Sequence, residues 1–140
     1  MIRVTFLGTS AAAPTVTRNL PSIALKHGGD LMLFDCGEGT QRQMMRFATG
    51  FDVKDVFFTH LHADHYLGII GFVRTLWMAD RKEPMHLHGP RGSARVLLQA
   101  LNLGLQGSRF PVEVHELADG EVVAREGYSV RAFRVEHKMT

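Results

Sequence analysis

Within six residues the chain carries three imidazoles and one carboxylate, as His60-Leu61-His62-Ala63-Asp64-His65. They follow the apolar run Val56-Phe57-Phe58 directly. A short, nearly all-apolar strand of that kind is one covered on both faces, as in sheets flanked by helices. The loop off the carboxyl end of such a strand is where α/β folds place ligand sites. His60 and His62, two apart in an extended loop, can point to one side. Asp64 and His65 come as the chain turns into a helix and can point at a neighbouring position. Imidazole nitrogen and carboxylate oxygen are the ligand set that Zn²⁺ accepts. The plain alternative is a polar loop with several surface histidines.

The rest of the chain reads as alternating elements. Ile2–Leu7 has the pattern of a strand closed by Gly8, and residues 8–21 form a long loop of small and polar residues interrupted by Pro14 and Pro21. Long loops of this kind are usually functional or disordered. Residues 22–26 and 31–35 read as a hairpin joined at His27-Gly28-Gly29-Asp30. Residues 38–48 read as a helix burying Met44, Met45, Phe47 and Ala48, and residues 66–78 as a second helix with Ile69, Phe72, Val73 and Leu76 at helical spacing. Residues 56–59 and 85–88 are predicted short strands, and 92–103 a third helix. Strands at 112–116, 121–125 and 128–135 follow, split by Asp119-Gly120 and Glu126-Gly127. The order implies an α/β sandwich of sheets with helices outside.

Composition excludes several classes. At 140 residues and 45% hydrophobic, 21% charged, the chain has a globular balance and suits one domain or part of a larger one. Its apolar runs fall well short of the ~20 residues of a membrane span, so no membrane is expected. The single cysteine, Cys36, has no disulfide partner within the chain, and a reducing cytoplasmic compartment is the simpler expectation. The net charge of +2 neither demands nor excludes nucleic acid. Twelve of the sixteen cations are Arg, but they are dispersed.

The His-x-His-x-Asp-His segment after a short apolar strand resembles the hallmark of the metallo-β-lactamase fold. Gly8-Thr9-Ser10-Ala11-Ala12-Ala13-Pro14, with Arg18-Asn19 close behind, resembles the amino-terminal loop of the ribonuclease Z family, the tRNA 3′-processing endonucleases. Phe34-Asp35-Cys36-Gly37-Glu38-Gly39-Thr40-Gln41 is similar to that family's second signature, and Gly89-Pro90 also fits. The resemblance runs from Met1 to about His137.

That resemblance implies an αβ/βα sandwich of which residues 1–140 form the amino-terminal half, as one incomplete domain. It implies a first zinc held by His60, His62 and His137, leaving a place for water, and a second held by Asp64 and His65. Asp64 is also the implied proton acceptor. Two metals acidify water and can clamp the attacking and leaving oxygens of a phosphodiester. Asp35 would orient an imidazole or the ligand loop. Pro14, Arg18 and Asn19 match a loop associated with the tRNA acceptor end, and Arg18 could grip a phosphate. The basic residue usual in that loop is replaced here by Val16 or Thr17.

The implied activity is removal of the 3′ trailer from precursor tRNA, leaving a 3′ hydroxyl. Precursor tRNA is the implied partner, and a homodimer through the helices at 38–48 and 66–78 the implied assembly. The complete enzyme would hold two Zn²⁺. The family's bridging aspartate and last zinc histidine would lie beyond residue 140, so this chain alone is expected to hold fewer. Two rivals stay open: another hydrolase of the same fold, acting on a small phosphodiester, sulfate ester or lactone, and a non-catalytic fragment. Among the other histidines, His86 and His88 share one strand face, so a metal site is conceivable, but no acidic or Cys ligand is close and no metal is expected there. His27 and His115 are isolated, and a surface or core-edge role is expected for both.

Overall fold

Six strands pair in sequence order in the computed structural model, which describes residues 1–103 and 109–137. They are β1 (Ile2–Gly8), β2 (Ser22–His27), β3 (Asp30–Phe34), β4 (Val53–Phe57), β5 (Met85–Gly89) and β6 (Val112–Glu116). The first three are antiparallel and β3 to β6 run parallel. Parallel neighbours need crossovers, and helices supply them. These are α1 (Thr40–Arg46), α2 (Ala63–Tyr66), α3 (Gly68–Met78) and α4 (Ser93–Leu101). A separate hairpin follows, β7 (Val122–Arg125) with β8 (Tyr128–Arg131).

Alternation along the strands sorts the two faces of the sheet. Leu7, Ala24, Leu31, Leu33, Val56 and Leu87 pack with Met44, Ile69, Phe72, Val73, Leu76 and Leu97 from the helices into one core. Burial of each large side chain there contributes roughly 1.5–3 kcal/mol. The other face carries Asp55, Phe57, His86 and His88, and part of it is covered by the β7–β8 hairpin. Arg125 donates to Asp55 at 2.9 and 2.6 Å, and the Tyr128 hydroxyl donates to Asp30 at 2.8 Å. Ile2, Val4 and Phe6, on the edge strand β1, remain exposed.

Four details depart from the sequence reading. The strand before the histidine cluster is Val53–Phe57, so it contains the buried Asp55 that an all-apolar run omits. The helix expected over 66–78 is two, α2 and α3, joined at Leu67. In α1 only Met44 of the four expected core residues is buried: Met45 is exposed within the helix, and Phe47 is exposed just beyond its end at Arg46. The strand expected over 128–135 ends at Arg131. Ile69, Phe72, Val73 and Leu76 are buried on α3 as their spacing predicts.

Candidate metal centre

Parallel pairing of β3 and β4 sets the carboxyl ends of the two strands side by side. Asp35 follows β3 with a left-handed backbone, φ 62°. That conformation is uncommon outside Gly, and Asp is among the residues that tolerate it. The surroundings hold it: Asp35 N–H donates to the Phe57 carbonyl at 2.7 Å, and the side chain is buried. The carboxylate accepts from Thr59 N–H, from the Thr59 hydroxyl and from His65 Nδ1, each at 2.8 Å.

This network sets the histidine tautomers. With the Thr59 hydroxyl donating to Asp35, its oxygen accepts from His60 Nδ1 at 2.9 Å. His65 Nδ1–H donates to Asp35 directly. Both rings therefore keep Nε2 as a lone-pair nitrogen, the form a metal needs. Sequence reasoning found Asp35 but missed Thr59, whose hydroxyl joins the two. The available signal was its place directly before His60.

The loop is closed onto its neighbours through backbone. Cys36 N–H donates to the His65 carbonyl at 2.8 Å, and Gly68 N–H donates to the Cys36 carbonyl at 2.9 Å. A Cβ on Gly68 would collide with the Gly37 carbonyl, so only glycine lets α3 start this close to the Asp35 loop.

His60, His62 and His137 come together, with one ligand nitrogen from each within 4.8 Å of the others. The His60 ring lies 4.5 Å from that of His62, 4.7 Å from His137 and 4.0 Å from His65. Burial, then the neighbouring imidazoles of His65 and His62, hold His60 below the usual histidine pKa, which favours the neutral form that donates a lone pair. His137 arrives from beyond the end of β8, not from within a strand. The segment leading to it is pinned by Arg134 N–H donating to Asp119 at 2.9 Å. Asp64 and His65 stand beside this triad as a pair, 3.3 Å apart. Three borderline nitrogens with an adjacent carboxylate–imidazole pair suit Zn²⁺ by donor chemistry.

The loop over residues 8–21 touches this centre at one point: Ala12 N–H donates to Asp64 Oδ2 at 3.0 Å. Arg18 and Pro14 are exposed. Asn19 is less so, and its side-chain amide donates to the Glu38 carbonyl at 2.9 Å. Asn19 thus shapes the loop while Arg18 projects from it.

The remaining histidines overturn two readings. Acidic groups do lie close to His86 and His88. Asp55 accepts from His88 Nε2 at 2.8 Å, and Glu113 sits 3.2 Å from His86 Nδ1. His115 is not isolated, since its Nε2 is 3.0 Å from His86 Nδ1. Parallel pairing of β5 with β6 brings them together across 29 residues, a register that linear spacing does not reveal.

Comparison with known proteins places this geometry in context. The family model of the metallo-beta-lactamase superfamily matches residues 19–134. A ribonuclease Z of Myxococcus xanthus is 61% identical over 139 residues, covering 99% of this chain and 45% of the relative. A ribonuclease Z of Natronomonas pharaonis is 49% identical, covering 97% and 44%. The crystal structure of human tRNase Z, short form, superposes with a TM-score of 0.75 at 38% identity, over 83% of this chain and 45% of that one. The chain thus spans less than half the length of these relatives.

Proposed function

Since the chain belongs to the metallo-beta-lactamase superfamily, we propose that it is the metal-bearing amino-terminal part of a zinc-dependent ribonuclease Z that removes the 3′ trailer from precursor tRNA and leaves a tRNA 3′ hydroxyl. The observation that carries this reading is the convergence of His60, His62 and His137 beside the Asp64–His65 pair. The high identity to ribonuclease Z over almost the whole chain selects that family among those sharing the fold.

His60, His62 and His137 would hold one zinc, and Asp64 and His65 would contribute to a second. When bound, such ions supply Lewis acidity to a phosphodiester and a nucleophile at neutral pH. The protein's own residues do the rest. Asp35 orients His65 directly and His60 through Thr59. Asp64 is the proton acceptor, and its Oδ2 is steadied by Ala12 N–H. That hydrogen bond couples the proton acceptor to the loop that carries Pro14 and Arg18. Arg18 meets a phosphate of the tRNA acceptor end, while Asn19 keeps the loop in shape. Recognition is by backbone and shape rather than by base sequence. The enzyme is a cytoplasmic homodimer. The exposed Met45 and Phe47 at the end of α1 support a covered surface there.

The test is a chimaera in which this chain replaces the matching residues of the Myxococcus xanthus relative. It should process a trailer-bearing precursor tRNA, and its His62→Ala form should not. Cleavage of a small phosphodiester without cleavage of precursor tRNA would instead favour another hydrolase of the same fold. Inactivity on both substrates in a folded, zinc-loaded chimaera would overturn the reading.

A further inference from the structure

On the sheet face away from the helices, we propose that His86, Glu113 and His115 form a second, separate binding site for a divalent transition ion such as Zn²⁺. His86 lies on β5, opposite Glu113 on β6, and His115 is opposite His88. Side chains at these alternate positions share one face. None of them belongs to the His60 centre.

The distances fit an ion. His86 Nδ1 is 3.0 Å from His115 Nε2 and 3.2 Å from Glu113 Oε2, and the last two atoms are 3.9 Å apart. A point equidistant from these three atoms lies about 2.0 Å from each, against zinc–nitrogen and zinc–oxygen bonds of roughly 2.0–2.2 Å. An ion raised slightly from their plane keeps those bonds and leaves a further position for water. Two imidazoles and a carboxylate are a borderline donor set that favours zinc over Ca²⁺ or Mg²⁺.

Two further observations point to a ligand. The rings of His86 and His88 both stack on that of His115, at 5.2 and 5.0 Å, which holds the donors in place before an ion arrives. His88 is buried, with Asp55 on its Nε2, and its Nδ1 has no hydrogen-bond partner among the described residues. The consequence of an ion at the trio is a clamp joining β5 to β6, the edge strand of the described sheet.

The test removes the first centre and looks for the second. The chain carrying His60→Ala and His62→Ala is equilibrated with Zn²⁺, freed of loose metal and analysed for zinc per chain. We expect about one ion retained, lost on adding His115→Ala and bound at least tenfold more weakly with Glu113→Gln. Zinc should raise the melting temperature of the double variant and leave that of the His115→Ala triple variant unchanged. The side chains of His115 and Glu113 are 42% and 54% exposed, so neither change opens the core. If the His115 variant fails to fold, the Glu113→Gln measurement decides. No retained zinc in the double variant would mean that His86 and His115 share only a hydrogen bond, and the proposal falls. Retention indifferent to both substitutions would also overturn it. Because the His60 centre is absent throughout, failure here leaves the ribonuclease reading untouched.

Discussion

Asp35 accepts a hydrogen bond from His65 Nδ1 at 2.8 Å, and that contact ties the end of β3 to α2, the helix after the next strand. The same carboxylate receives both donors of Thr59. Asp35→Asn puts an NH₂ against one of these donors. It should weaken zinc binding by about 10–100-fold and cost about 1–3 kcal/mol of stability. Competition with a chromophoric chelator measures the first and urea unfolding the second. Unchanged zinc affinity would show that the loop holds its shape without Asp35.

Asp55 is the buried anion of the opposite face. Burial alone would raise its pKa, but hydrogen bonds from His88 and Arg125, with the Arg125 charge, outweigh this and hold it well below the usual carboxylate range. A carboxyl depressed in the folded state stabilises fully above its unfolded pKa, roughly 3.9. That contribution is lost as pH falls from there through the folded value. Wild-type stability should therefore drop more steeply below about pH 4 than that of Asp55→Asn. Arg125→Ala, which leaves the carboxylate to His88 alone, should cost about 2–4 kcal/mol at pH 7. Urea midpoints across pH read both; parallel pH profiles would contradict the assignment.

Cys36 lies at the heart of the Asp35 loop, fully buried. Burial pushes its thiol up to about 12, with the Asp35 charge adding to this and a Thr40 hydrogen bond opposing it. Only the thiolate is reactive, so the native chain should resist alkylation at pH 8 and label fully once unfolded. Rapid native labelling would mean that this loop opens.

The proposed homodimer rests on exposed apolar side chains at the end of α1. Met45→Glu combined with Phe47→Glu should turn a dimer into a 15.6 kDa monomer in sedimentation. A monomeric wild type would remove this part of the account.

The helix pattern and the histidine cluster were legible because both are local. Ile69, Phe72, Val73 and Leu76 repeat at helical spacing, and His60 to His65 sit within one loop. The errors arose where the answer depends on which strand lies beside which. Asp55 looks like a charge interrupting an apolar run until Arg125 arrives from 70 residues away. His115 looks solitary until β6 pairs with β5. The strand expected over 128–135 ends early at Arg131, and His137 meets His60 from the irregular segment beyond it. Helical spacing likewise puts Met45 and Phe47 on the buried side, yet Met45 is exposed within α1 and Phe47 is exposed just past its end.

If His60, His62 and His137 hold a metal ion, removing one of the three imidazoles must lower the metal content. Zinc per chain, measured by elemental analysis on folded wild type and on folded His62→Ala side by side, tests it most directly. The wild type should hold about one ion more than the variant. Equal zinc content in the two proteins, at any stoichiometry, would contradict it.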